Sequence, residues 1–259
     1  MSRKLIIILS IILLTLSGCT KTEVIDTLSP SKTPLPVVTE QSFSTKEAEK
    51  QPEISYEEYS NENSDYNMTV YMSIPQVGKL ADAEVELMIN SVIMKEAMAI
   101  KDEFESWARQ DYESLTGDMK AFPHTLDFGF DIKTLDSSIM SVAIIYYTYT
   151  GGAHGLETTY SYTFRLNDGT QVAFKELFDK NYDFITAINK EISDNKYTFT
   201  GGFDEYVYQV EDFKGITENT KFYIKDNSIV IYYNPYEIAA YAAGYLEFRI
   251  SDMIPFSLD

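Results

Sequence analysis

The sequence predicts an α+β fold: a mostly antiparallel, twisted sheet with a long helix and a shorter helix packed on one face and polar residues on the other. Three observations carry this. Several segments alternate apolar and polar residues with period two, as half-buried strands do. Two segments instead repeat apolar residues at three- and four-residue intervals, the spacing of a helix stripe. The strand signals are joined by short turns rich in Asp, Asn and Gly, which suit hairpins.

Taken in order, Met68, Val70, Met72 and Ile74 point one way, and Thr69, Tyr71 and Ser73 the other. A helix follows from about Leu80 to Asp111, with Leu80, Ala83, Leu87, Met94, Ala97, Phe104 and Ala108 as its stripe and Asp82 near its positive end. Leu126, Phe128, Phe130 and Ile132 oppose Asp127, Gly129 and Asp131. Residues 139–149 are apolar on both faces and suit a central strand, as do residues 229–233. Leu156, Thr158, Tyr160, Tyr162, Phe164 and Leu166 oppose Glu157, Thr159, Ser161, Thr163 and Arg165. Asn167-Asp168-Gly169 and Asp226-Asn227-Ser228 read as hairpin turns. The shorter helix starts after Asn181 as N-cap, with Ile185, Ile188 and Ile192 on one stripe. Residues 203–213 fit a short helix or a loop, and Leu246, Phe248 and Ile250 mark the last strand.

The N-terminus reads as a lipoprotein signal peptide over residues 1–18. Arg3 and Lys4 precede an apolar run from Leu5 to Leu16 that is short for a spanning helix. Leu16-Ser17-Gly18-Cys19 then has the form of a bacterial lipobox, in which Cys19 is lipidated and becomes the first residue. Residues 19–52 are rich in Thr, Ser, Pro, Lys and Glu and form a flexible tether, because they cannot bury enough apolar surface to offset their ordering entropy. The chain is expected on the outer face of the cytoplasmic membrane, held by its lipid. Cys19 is the single cysteine, which leaves no intrachain disulfide, cysteine cluster or catalytic thiol.

Twenty-one basic residues face 40 acidic ones, and removal of Arg3 and Lys4 with the signal leaves 19 against 40, a net charge of −21. Such a surface disfavours nucleic acid and favours cationic partners, over distances set by salt. The sequence holds two histidines, His124 and His154. His154 follows Gly151-Gly152-Ala153 between two strand signals, where it reads as a general base or as part of a glycine-built turn. No phosphate-binding loop, nucleophile elbow or zinc-protease motif accompanies it, so no catalytic residue, metal ligand or cofactor is assigned. Glu237, between Tyr236 and Ile238, reads as a buried acid of raised pKa or as a paired structural carboxylate. The 20 tyrosines fit a recognition surface or the outer positions of a sheet.

The stretch "YYTYTGGAHGLETTYSYTFRLNDGTQVAFKELF" at 146–178, followed by "YYNPYEIAAYAAGYLEFRIS" at 232–251, resembles a DUF3298 domain. "ISYEEYSNENSDYNMTVYMSIPQV" at 54–77, with the long helix and its Asn90, is similar to the DUF4163 or PdaC-type domain that precedes it. The resemblance divides the chain into a PdaC-like half, 53–135, and a DUF3298-like half, 136–259. It implies an extracytoplasmic domain like the outer part of a lysozyme-sensing anti-sigma factor, or like the region that precedes the catalytic domain of some peptidoglycan deacetylases. The sequence carries no recognisable deacetylase domain after its last strand, so that activity is not expected. Candidate ligand-binding loops are Tyr149, Gly151, Gly152 and His154, and then Tyr236, Glu237, Tyr241 and Gly244. The expected function is a lipid-anchored binding or sensing module for lysozyme, another cationic wall-active protein, or peptidoglycan. The alternative is an envelope enzyme or accessory of peptidoglycan modification that uses His154 and Glu237.

Overall fold

The computed structural model describes residues 51–201, 207–211 and 213–258, all within one compact unit. The expected signal peptide, Cys19 and all but the end of the tether lie outside the described residues. The elements run β1 (Glu53–Asn63), β2 (Met68–Gly78), α1 (Ala83–Ser114), β3 (His124–Leu135), β4 (Ile139–Tyr149), β5 (Leu156–Arg165), α2 (Phe184–Asp194), β6 (Thr198–Gly201), β7 (Val207–Gln209), β8 (Phe222–Lys225), β9 (Ser228–Tyr233) and β10 (Leu246–Arg249). The α+β class holds, and the strands divide between two five-stranded sheets, ordered β1-β2-β3-β4-β5 and β7-β6-β10-β9-β8. The first sheet takes β4 and β5 from beyond residue 135. Every pairing is antiparallel except β2 with β3, which α1 joins as a crossover.

Asp82 caps α1, its side chain accepting from the Glu84 N–H at 2.8 Å. The buried stripe is Val85, Ile89, Ile93, Ala97, Lys101, Phe104, Glu105 and Ala108, which packs on Met68, Val70, Met72, Leu126, Phe128, Met140, Val142 and Ile144. This corrects the start of the expected stripe: Ala83 is exposed and Leu87 is 67% exposed. Leu87 stands two residues from Val85 and Ile89, roughly 200° around the helix from them. Lys101 and Glu105 are buried because β1 covers them, with Asn61 Nδ2 donating to Glu105 Oε1 at 3.0 Å and Lys101 pairing with Asp102 at 2.7 Å. Asn90 fixes the helix to β2: its Oδ1 accepts from the Val77 N–H at 2.8 Å and its Nδ2 donates to the Val77 carbonyl at 2.9 Å. β1 itself, Glu- and Asn-rich and largely exposed, gives no periodic signal and forms because β2 offers it eleven register partners.

In the second sheet, Ile188 and Ile192 of α2 pack on Phe199, Ile224, Ile229, Ile231, Leu246 and Phe248. The helix is capped by Asp183 rather than Asn181, with the Asp183 carboxylate accepting from the Thr186 N–H at 3.1 Å. Asp226 and Asn227 hold φ 49° and 54°, the two positive values that a tight two-residue hairpin needs, as their sequence predicts. Asn167-Asp168-Gly169 does turn, yet it closes only an isolated bridge between Phe164 and Gln171 rather than a hairpin. Of the undecided 203–213 segment, Val207–Gln209 is a strand.

The polar face of the first sheet is not left to solvent. Ser141, Thr159 and Thr163 are buried, because edge strand β8 of the second sheet crosses this face. Thr134 Oγ1 donates to the Ile224 carbonyl at 2.8 Å, and Ser141 Oγ accepts from the Ile224 N–H at 2.9 Å. Ser161 Oγ donates to the Phe222 carbonyl and lies 2.9 Å from the Tyr232 hydroxyl, while Ser141 and Thr163 share a bond of 2.9 Å. A buried edge strand must find partners for its outward backbone groups, and these hydroxyls supply them. Ser141→Ala strands the Ile224 N–H and the Thr163 hydroxyl. We expect it to lower stability by about 1–3 kcal/mol with an unchanged urea m-value, read from equilibrium denaturation.

Candidate functional site

The β4–β5 hairpin ends in the pair Thr148–Leu156, and its loop carries Gly151 at φ 88° and Gly152 at φ 95°. Those left-handed values suit residues without a Cβ, and the Tyr149 hydroxyl braces the bend by donating to the Gly152 carbonyl at 3.1 Å. Gly155 is required for another reason. A Cβ there would lie 2.3 Å from Tyr147 Cζ and 2.5 Å from the Thr148 carbonyl oxygen. The Gly155 carbonyl accepts from the Tyr241 hydroxyl at 3.1 Å and lies 2.9 Å from His154 Nδ1. Because that oxygen only accepts, the contact places the proton of neutral His154 on Nδ1. The His154 ring stacks on Tyr241 with centroids 4.0 Å apart, and Tyr241 in turn lies 5.4 Å from Tyr236. Three of the predicted residues, His154 and the sequence-distant Tyr236 and Tyr241, thus form one aromatic column.

Tyr236 is placed by the turn Asn234-Pro235-Tyr236-Glu237. The Asn234 amide clamps the free edge of β5: its Oδ1 accepts from the Thr159 N–H at 2.9 Å and its Nδ2 donates to the Thr159 carbonyl at 3.0 Å. The Glu237 N–H closes the turn on the Asn234 carbonyl at 3.1 Å. Glu237 Oε2 accepts from the Asn234 N–H at 3.0 Å, and Oε1 pairs with Lys221. Of the two readings of Glu237, the geometry gives the paired structural carboxylate. The turn holds Tyr236 at φ 73°, a value unfavourable to a bulky side chain, with the residue 62% exposed. Gly244, at φ 68°, ends the short helical turn Tyr241–Ala243 that carries Tyr241.

Below the column lies a groove of about 520 Å³. α1 supplies Ile100, Glu103, Phe104 and Trp107; β4 supplies Tyr146 and Thr148; β5 supplies Thr158 and Tyr160; His154 and Tyr236 also line it. Tyr146 and Tyr160 stack with centroids 6.0 Å apart and planes 10° from parallel. Trp107 is 43% exposed and Tyr160 42%, so with Tyr236 they form an exposed aromatic rim of the kind that marks a recognition surface. His124, the other histidine, opens β3 and is fully buried. Its Nε2 lies 2.9 Å from Asp111 Oδ2 and its ring meets Trp107 edge-on at 5.9 Å, which supports the indole from behind. Burial, and then the neighbouring Tyr160, push the Tyr146 phenol up to about 12, and burial does the same for Tyr162 beside the groove.

Sequence reasoning missed Glu103, Trp107, Tyr146, Tyr160, Asn234 and Gly155. One signal was available: Glu103 and Trp107 stand four apart on the flank of the buried helix stripe, and Trp107 is the single tryptophan. Among the described residues no group of three His, Cys, Asp or Glu side chains is arranged to hold a metal. Cys19 lies outside the described residues.

Residues 60–157 match the family model described as Deacetylase PdaC, and residues 175–252 match that of DUF3298, described as a protein of unknown function. No curated protein matches the sequence. A DUF3298 family member from Bacteroides fragilis, solved by crystallography, superimposes with a TM-score of 0.56 at 18% identity, over 78% of this chain and 91% of that one. A DUF3298 family protein from Pseudomonas aeruginosa gives a TM-score of 0.51 at 10% identity, over 78% and 90%. At these identities the likeness is one of fold. The two matched segments share the groove: its helix and most of its strand walls fall in the first, Tyr236 in the second.

Two outcomes follow from this geometry. Tyr236→Gly relieves the left-handed backbone and should raise stability by about 1 kcal/mol in thermal or urea unfolding. With rising pH, the unfolded chain releases phenol protons near pH 10, whereas Tyr146 and Tyr162 hold theirs to about 12. The native state then binds more protons than the unfolded one, so stability present below pH 10 is lost between about pH 10 and 12. Urea midpoints measured across that range should fall, and less steeply in the double variant Tyr146→Phe/Tyr162→Phe.

Proposed function

Since the chain joins a PdaC-type segment to a DUF3298 segment, we propose that it is an extracytoplasmic binding module of the cell envelope that captures a cationic wall-active protein such as lysozyme. A lipid on Cys19 holds it to the outer face of the cytoplasmic membrane, and residues 19–52 carry the folded unit away from that surface. The observation that carries the reading is the aromatic-rimmed groove on a strongly acidic chain. Long-range attraction brings a basic protein to the surface, and the exposed rings then supply contact area at low entropic cost. His154 and Glu237, the pair an enzyme would use, are both occupied in holding a loop and a turn: His154 against Gly155 and Tyr241, Glu237 against Lys221 and Asn234. That favours recognition over catalysis at this site.

Isothermal titration of the purified full chain with lysozyme should give saturable binding that weakens as salt is raised through the range where the Debye length contracts from about 30 to 10 Å. Absence of binding at the lowest ionic strength overturns the lysozyme reading.

A further inference from the structure

The groove has a chemical bias that its shape alone does not give. Among the described residues its single lining carboxylate is Glu103, and neither Lys nor Arg lines it. Elsewhere this chain covers tyrosine rings with its own cations: Lys101 stands 5.4 Å over Tyr59, Arg109 5.9 Å over Tyr66, Lys120 4.5 Å over Tyr112 and Lys133 4.7 Å over Tyr223. At the groove only its margin is covered this way, by Lys221 at 6.0 Å from Tyr160. Among the described residues no lysine or arginine lies over Trp107, Tyr146 or Tyr236. A ring face is an electron-rich surface that attracts a cation, most strongly on an indole, and the attraction grows as the site is desolvated.

We propose that the groove is a cage for one cationic side chain, the lysine ammonium or arginine guanidinium of a basic partner protein, held between the rings of Trp107, Tyr146 and Tyr236 with Glu103 as its counter-charge. The inference rests on the binding-module reading and names the contact by which that module reads its partner. The cage is set before the partner arrives. Trp107 is backed by buried His124, and Tyr236 is fixed by a turn whose Asn234 amide is bonded to β5. Little side-chain freedom is then lost on binding. A neutral saccharide would stack on the same rings but would leave Glu103 without an opposite charge, so the charge of the wall favours the cation.

Trp107 is the only tryptophan of the chain, so its emission reports on the groove alone. The full chain is titrated with tetramethylammonium chloride, with sodium chloride at matched ionic strength and N-acetylglucosamine trimer as parallel arms. A saturable change in Trp107 emission with tetramethylammonium alone is expected, weakened about 5-fold in Glu103→Gln and about 10-fold in Tyr236→Gly. The glycine variant keeps the turn, and its unfolding curve shows that the fold persists. An equal response to sodium chloride, a response to the trimer alone, or unchanged affinity in both variants overturns the cage. The same glycine variant in the lysozyme titration separates the two claims. If lysozyme binds wild type and variant alike, the cage falls and the module reading stands. If tetramethylammonium fills the groove while lysozyme fails to bind the wild type, the module reading falls and the cage stands.

Discussion

Hydroxyls on the back of the first sheet hold the second sheet in place. Thr134, Ser141 and Ser161 bond to the outward backbone groups of Phe222 and Ile224, and Thr163 completes the set through Ser141. An unpaired amide or carbonyl in this buried seam would carry its whole desolvation cost, so the contact is selective as well as adhesive. A slide of β8 by one residue would turn a different set of backbone groups toward the hydroxyls. The second sheet is thereby fixed in translation, and with it the segment that follows β9.

That segment is what the groove requires. Its walls are α1 and strands of the first sheet, while Tyr236 comes from the connection between β9 and β10, as does Tyr241, the ring that stacks on His154. The Asn234 amide carries the alignment of the seam onto β5 at Thr159, two residues before Ser161, where the hydroxyl contacts begin. Asn90 does the same for α1 on β2. In both cases one primary amide imitates the donor and acceptor of a neighbouring strand, so that a helix and a turn are each tied to a backbone at a single residue. The backbone strain at Tyr236 is tolerated because bonds around it over-determine the turn.

Much of this was legible in the sequence where a local rule decides. Period-two alternation placed β2 and β3 with the correct faces and separated the two rows of β5, though it buried the wrong members of them, since Tyr160 is exposed and Thr159 and Thr163 are buried, and Asp226-Asn227 fixed its turn through backbone conformation. What failed to show was non-local. Ser161 and Thr163 read as a solvent-facing row, and Ser141 sat unremarked in a run read as apolar on both faces, because a hydroxyl looks alike to periodicity whether its partner is water or β8. The division into two sheets was invisible for the same reason. At the site, Gly151, Gly152, His154, Tyr236 and Tyr241 were visible as a scarce histidine, adjacent glycines and a small-residue tyrosine motif. Trp107, Tyr146 and Tyr160 were not, since each lies in a regular element whose pattern explains it without a ligand. Gly155 was hidden too, because its role is to leave room for Tyr147, which no spacing reveals.

The seam and the clamp also set an order of events in time. Thr134 meets Ile224 across 90 residues, and Asn234 meets Thr159 across 75. Contacts of such long range close late, after the local hairpins have formed. A chain emerging N-terminus first completes β1 to β5 while its hydroxyl face still lacks a partner. The aromatic column assembles only when the last third of the chain has arrived, so the recognition surface comes into being as the final step of folding, and a truncated product would carry the groove walls without the rings that close them.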